Sequence, residues 1–304
     1  MKILQLFPTI EDDIPNVILS RYSDVASADS IYKEIGVLGR AVRRALSTIN
    51  LSTGAFLASW VKSLNTFDIV IIEADINNIT VPRVLRNLGY SGRIIYWYWN
   101  PVISCVNPNR INRDLCEVWS FDKGDCERFG MEYNSQFYFS RIPRNSQKPI
   151  YDAYFIGLDK GRYTLLDRLK NELSGQGISC RFDIVKDGHS IENGTYTDRQ
   201  SYSEIISTIE RTRALVDIVQ EGQRGMTLRS MESLFFNKCL ITNNLFVAEE
   251  PFYSPERVFL LGKDDMQLLP SFIMSSPAPI SQELLCYYDY ENWMKRFNIP
   301  SINS

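Results

Sequence analysis

The stretch ALVDIVQEGQRGMTLRSMESLFFNKCLITN, residues 214–243, most constrains what this chain can fold into. Residues 214–220 are apolar and β-branched enough for a strand buried on both faces. A short polar turn with two glycines, Gly222 and Gly225, follows. An amphipathic helix is then predicted over 227–236. Leu228, Met231, Leu234 and Phe235 lie on one face of it, and Arg229 and Glu232, three apart, share the other side. Residues 239–242 read as a second short apolar strand. Parallel strands require such a crossover, so the unit implies a parallel sheet. A glycine-permitted turn that feeds a helix start is also an anion site, because free backbone N–H groups and the positive helix end point at whatever binds there.

The rest of the chain repeats this grammar. Apolar strands are predicted at 2–7, 67–73, 93–99 and 117–121, with helical segments over 28–48, 53–64 and 81–88. Residues 141–149, RIPRNSQKP, hold two prolines and no periodicity, which marks a linker. A second series begins with strands at 152–157 and 180–185, helices over 163–173 and 201–211, and a further strand at 258–261. An aromatic-rich helix over 287–297 closes the chain. Alternating β and α elements over 304 residues predict two mostly parallel, doubly wound α/β domains.

Composition narrows the function. With 44% hydrophobic and 23% charged residues and a net charge of −3, the chain reads as an ordinary soluble protein with no call for nucleic acid. The six cysteines form no CxxC pair and are expected to be reduced, as in the cytoplasm. No signal peptide or membrane-spanning run is expected. His189 is the only histidine and lies in a polar loop, which argues against a histidine-based triad or a multi-histidine metal site.

Certain residues carry a resemblance. They are Phe155-Ile156-Gly157 with Lys160 and Arg162, Asp217 with Gln220-Glu221-Gly222-Gln223, Gly225-Met226-Thr227-Leu228-Arg229 with Glu232, and Lys238 with Leu240-Ile241-Thr242-Asn243. In the first half, Tyr98-Trp99-Asn100-Pro101 and Ser120-Phe121-Asp122 add weaker marks. Together they resemble the GT-B glycosyltransferases encoded in bacterial O-antigen and capsule gene clusters. The resemblance covers nearly the whole chain and is specific in its second half.

It implies two Rossmann-like domains facing across a cleft: residues 1–145 on the acceptor side, 150–285 binding a nucleotide-diphosphate sugar, and a terminal helix, 286–304, crossing back to the first domain. The implied donor residues are Lys160, Arg162, Gln220, Gln223, Arg224, Gly225, Met226, Thr227, Arg229 and Glu232. The N–H groups of Gly225, Met226 and Thr227 would hold the distal phosphate. Glu232, about 7 Å along the helix, would accept the ribose hydroxyls. Lys160 and Arg162 would neutralise phosphate charge. Arg224 stands eight before Glu232, where many retaining relatives have a second glutamate, and adds a cation beside the diphosphate. Asp264-Asp265 is not the spaced DxD of metal-dependent members, so no metal and no cofactor beyond the donor is expected.

An inverting transfer needs a carboxylate to take the acceptor proton. Asp12, Asp13, Glu73 and Asp75 stand at strand ends of the first half. Asp13 is ranked first, because the loop after the first strand commonly faces the cleft in this fold, and Glu73 stands with it. Arg40, Arg43 and Arg44, with their apolar companions, read as an ordinary amphipathic helix packed on the sheet, with a lipid surface as the alternative. The expected partners are a nucleotide sugar and a glycan or lipid-linked glycan acceptor. The expected location is cytoplasmic, with peripheral association at the inner membrane left open. A non-catalytic nucleotide- or glycan-binding protein of the same fold is the rival reading. A nicotinamide enzyme is disfavoured, since the first strand runs into Pro8 and not a glycine fingerprint.

Overall fold

A computed structural model of the chain describes residues 1–8, 13–145, 147–220 and 222–298. Two compact units emerge: Met1–Ser135 with Trp293–Ser304, and Gln136–Asn292.

Unit 1 contains β1 (Ile3–Phe7), α1 (Asp13–Arg21), β2 (Ser27–Ser30), α2 (Val37–Thr48), β3 (Ile69–Glu73), α3 (Val81–Asn87), β4 (Arg93–Tyr98), β5 (Glu117–Ser120), α4 (Lys123–Phe129) and β6 (Glu132–Tyr133). The strands form one parallel sheet in the order β2-β1-β3-β4-β5-β6. Its central strands are apolar on both faces, as a sheet covered on both sides demands: Ile69 to Ile72 and Ile94 to Tyr98 are all buried. Short polar devices close the helices. Asp122 caps α4 by accepting the N–H of Asp125 at 3.0 Å, and Gly130, in the left-handed region, ends it.

Unit 2 contains β7 (Tyr151–Leu158), α5 (Tyr163–Gly175), β8 (Cys180–Val185), α6 (Tyr202–Glu210), β9 (Thr212–Asp217), α7 (Leu228–Phe235), β10 (Cys239–Thr242), β11 (Val258–Leu260), α8 (Leu269–Met274) and α9 (Gln282–Tyr288). Its parallel order is β11-β10-β9-β7-β8. The core beneath α5 and α8 joins Phe155, Leu166, Leu169, Val216, Ile241 and Ile273.

The chain leaves unit 2 inside α10 (Tyr290–Lys295). Trp293 and Phe297 then pack in unit 1. Trp293 meets Trp97 edge-on at 5.2 Å between centroids, and Phe297 meets Trp119 at 5.0 Å. The terminal helix thus packs back on the first unit. It is not one helix over 287–297, however. Asp289 is extended, and the backbone on either side of it pairs with Tyr138: Tyr138 N–H donates to Tyr288 O, and Tyr290 N–H to Tyr138 O, both at 2.8 Å. That pairing opens the helix into α9 and α10.

Two other local expectations change. The start of the segment expected to be helical over 28–48 is the edge strand β2, whose sequence SADS has no apolar period because it pairs with β1 only. Residues 53–64 form two 3-10 turns, Gly54–Phe56 and Ser59–Thr66, in place of a helix. No helix among the described residues is long and apolar enough to cross a membrane.

Candidate functional site

Strand order fixes where a ligand has room. In unit 2, β7 has β8 on one side and β9 on the other, so the chain winds in opposite directions from the β7/β9 pair. The loops that leave these two strands at their carboxyl ends diverge, and open α/β sheets bind ligands at such a point. The two loops are residues 159–162, after β7, and 218–227, after β9. They hold most of the donor residues expected from the sequence.

The first loop is a left-handed turn. Lys160 and Gly161 have φ of 51° and 77°, a conformation natural to glycine and costly for lysine. Lys160 is held there by its N–H, which donates to Asp187 Oδ2 at 2.8 Å. Fully buried Asp159 anchors the turn by accepting the N–H of Tyr163 and the hydroxyl of Tyr196, each at 2.8 Å.

Arg162 serves both loops. Its Nε donates to Asp159 O at 3.0 Å, and its terminal nitrogens donate to the carbonyl oxygens of Leu158 and Ile218. The guanidinium also stacks over Phe155 at 5.5 Å. Burial lowers its pKa, with Asp217 the strongest opposing charge. The sequence suggested a phosphate ligand; in this arrangement the Arg162 guanidinium is spent on backbone carbonyls and straps β7 to the loop after β9.

The second loop is built on Asp217, the last residue of β9. Thr227 donates its hydroxyl to Asp217 Oδ2 at 2.6 Å, and Ser230 donates to the same oxygen at 3.0 Å. Burial raises the Asp217 carboxyl above its ordinary 3.8, against the pull of those two hydroxyls. Thr227 is also the N-cap of α7 and accepts the N–H of Ser230 at 3.2 Å. That leaves the other first-turn N–H groups at the loop mouth without an intrahelical acceptor. Directly after β10, Asn243 accepts the N–H of Val219 at 2.8 Å and donates back to its carbonyl at 3.3 Å. Asn244 donates to Arg224 O at 3.1 Å. Gly222 has φ of 83°, which a side chain would strain.

Around this frame, Gln223 donates to Gly225 O at 3.2 Å, and Met226, itself buried, accepts from Gln136 at 3.2 Å. Gln220 stands half-buried just beyond β9. The Arg224 guanidinium lies 4.7 Å over the ring of Phe246. Arg229 is half-buried in the first turn of α7.

Glu232 departs from expectation. It is 0% exposed, forms an ion pair with Arg229, and lies against Tyr202, whose hydroxyl donates to that of Tyr138 at 2.7 Å. Burial raises its carboxyl above the ordinary 4.5, with Arg229 opposing. A helix with Ser230, Met231, Glu232, Ser233, Leu234 and Phe235 all buried has no solvent side. The sequence offered Glu232 as the acceptor of ribose hydroxyls on an open face; as placed, it offers no surface to a ligand and acts inside the protein on Arg229.

Unit 1 has the same topological feature between β1 and β3. Glu73 ends β3, half-buried, and its carbonyl accepts from the Asn78 side chain. Asp75 is taken up by its own turn, accepting the N–H and side-chain amide of Asn77 at 2.8 and 2.6 Å. Asp13 opens α1, but its side chain lies outside the described residues, and Asp12 lies outside them altogether. Among the described residues, no cluster of His, Cys, Asp and Glu could hold a metal.

The framing residues Asp217, Ser230 and Asn244 were not singled out as site residues from the sequence. The available signal was a polar residue at or just past the end of an apolar strand, Asp217 in β9 and Asn244 after β10; Ser230, inside α7, carried none.

No protein-family model matches the chain, and no curated protein matches it in sequence. Solved structures match along its whole length. The lipopolysaccharide outer core galactosyltransferase WaaB, in apo form, is 14% identical, with 98% of each chain covered and a TM-score of 0.52. HepE of Anabaena, in complex with UDP-glucose, is 11% identical over 98% of each chain, with a TM-score of 0.58. Sucrose-phosphate synthase of Thermosynechococcus elongatus is 8% identical over 98% of this chain and 97% of that one, with a TM-score of 0.59. The fold is GT-B. Within a GT-B chain, unit 1 is the N-terminal Rossmann-like half and unit 2 the C-terminal one.

Proposed function

We propose that this protein is a metal-independent glycosyltransferase that moves a hexosyl group from a nucleotide-diphosphate sugar to a glycan acceptor. The observation that carries this reading is the loop 218–227. It follows β9 at the switch point of unit 2, is braced by Asp217, Asn243 and Asn244, carries Arg224, and delivers the start of α7 with Arg229 in its first turn and Lys160 in the loop after β7. Such a frame suits a diphosphate, which needs fixed N–H donors and cations in one place. The likeness in fold to HepE, solved with UDP-glucose, supports the same reading.

In it, Gly225, Met226 and Thr227 surround the distal phosphate, with Gln220 and Gln223 on the loop beside it. Arg162 and Glu232 are positioning residues, one strapping the two loops and the other fixing Arg229. Glu73 or Asp13 takes the proton from the acceptor hydroxyl, each standing beside the switch point of unit 1. The donor is the only small molecule required; no cofactor is proposed. The acceptor is a lipid-linked glycan of bacterial surface polysaccharide synthesis, of the O-antigen or lipopolysaccharide kind, worked on from the cytoplasmic side with the enzyme peripheral at the inner membrane.

Thermal-shift and calorimetric titration with UDP, GDP and dTDP test the donor site, because a ligand bound to the native state raises its stability by mass action. A rise with one nucleotide, followed by turnover of its sugar conjugate, is expected. No rise with any of them would overturn the reading. Binding without turnover over a broad acceptor panel would favour a non-catalytic binding protein instead.

A further inference from the structure

Strand β8 is an outer strand of the unit 2 sheet, and its two faces differ. Side chains alternate along a strand. Phe182 and Ile184 enter the core beneath α5, which leaves Arg181 and Asp183 on the opposite face. There α6 packs against β7 and β9. The polar face of β8 is the floor of a groove of about 590 Å³, with α6 as one wall and residues 197–200 as the other. That volume is of the size of ligand clefts, about 300–1,000 Å³. None of the residues lining it belongs to the loops 159–162 or 218–227.

The floor is fixed in advance. Asp183, nearly buried, accepts at one oxygen from Arg181 Nε and from the side-chain amide of Gln200, each at 2.8 Å. The Arg181 guanidinium also lies 5.6 Å over the ring of Tyr151. The wall formed by residues 197–200 is pinned where Thr197 N–H donates to Ile184 O at 2.8 Å. Arg211, at the far end of α6, is steadied by Gln147, which accepts from its Nε at 2.7 Å. Exposed Arg199 and half-buried Ser207 line the groove from its two walls.

Its charges balance. Arg181, Arg199 and Arg211 face Asp183, Asp198 and Glu204. An anion meets the three acids there, a cation meets the three arginines, and an apolar ligand strips water from all six. A neutral molecule rich in hydroxyls suits the set, because each hydroxyl both donates to a carboxylate and accepts from a guanidinium. We propose that this groove is a second carbohydrate site, which holds a segment of a neutral glycan apart from the donor loops. The proposal rests on the transferase reading only for its use, which is to keep hold of a glycan acceptor between transfers, since a second point of attachment raises retention.

The test is saturation-transfer NMR on the full-length protein with maltotriose, cellotriose, lactose and mannobiose, first without nucleotide and then with UDP. Because no donor takes part, failure here leaves the nucleotide-site reading untouched. Transfer to at least one of these sugars is expected, unchanged by UDP. Ser207→Leu fills the groove and Arg199→Ala removes its donors, and each should weaken that binding about fivefold or more. Both positions lie at the surface of the groove, so both variants should unfold at the wild-type urea midpoint. Transfer to none of the four sugars, or transfer that both substitutions leave unchanged, would overturn the proposal. Displacement by UDP would assign the sugar to the donor loops instead. Preference for glucose 6-phosphate over the neutral sugars, weakened by salt, would make the groove an anion site and overturn it as well.

Discussion

Thr227 donates its hydroxyl to Asp217 Oδ2 at 2.6 Å, tying the first residue of the α7 cap to the last residue of β9. Nine residues of loop lie between the two, and this bond sets where the loop returns. Thr227→Val keeps the shape and removes the hydroxyl. It loses the cap on Ser230 and leaves a buried carboxylate with one hydroxyl partner fewer. A loss of about 2 kcal/mol in urea unfolding is expected, with weaker nucleotide binding by calorimetry. Thr227→Ser should restore both.

Glu232 supplies a pH test. Burial raises its folded-state pKa above 4.5. A raised carboxyl binds its proton more tightly in the folded state, so its contribution to stability is full below the unfolded value and is lost as pH rises through the folded one. Glu232→Gln removes that titration. The wild type should therefore gain stability relative to Glu232→Gln as pH falls from neutral towards 4.5, with a slope of no more than about 1.4 kcal/mol per pH unit. Urea midpoints for the two proteins across that range measure it; parallel curves would show that Glu232 is not a buried acid.

Arg162 predicts a coupled loss. Arg162→Ala strands the carbonyls of Leu158, Asp159 and Ile218. It should cost about 3 kcal/mol of stability and lower nucleotide affinity, because both loops lose their common strap. Arg162→Lys should recover only a small part of each, since an ammonium cannot fan out to three carbonyls. A lysine variant with wild-type stability and weakened nucleotide binding would instead mark Arg162 as a direct ligand.

Trp293 is wholly buried, edge-on to Trp97 at 5.2 Å and to Phe297 at 4.7 Å. Trp293→Ala should destabilise unit 1 by about 3–5 kcal/mol, read as an early unfolding transition in denaturant. Trp293→Phe should recover most of it. A terminal segment that mattered little would give a wild-type midpoint for both.

The legible parts of the sequence were those where one local rule decides the outcome. The strand 239–242 and the helix expected over 227–236 followed from apolar runs and periodicity, and they match β10 and α7 within a residue or so. Strand β2 was illegible because an edge strand of Ser, Ala and Asp is specified by backbone pairing to β1, which leaves no periodic trace. The Asp289 break was hidden for a similar reason: its cause is Tyr138, far away in sequence.

The sequence by itself determined two parallel α/β halves, the glycine-turned loop after β9 and the set of polar residues around it. Those follow from hydrophobic pattern and turn chemistry, which act over a few residues. Only the tertiary structure decided what each polar group faces. It buried Glu232 of α7 beside Tyr202, committed Arg162 to three carbonyls, and left Leu38 and Val42 of α2 exposed. Helical spacing tells which residues share a face. Which face meets the core depends on strand order and on neighbours distant in the chain, and no local pattern carries that information.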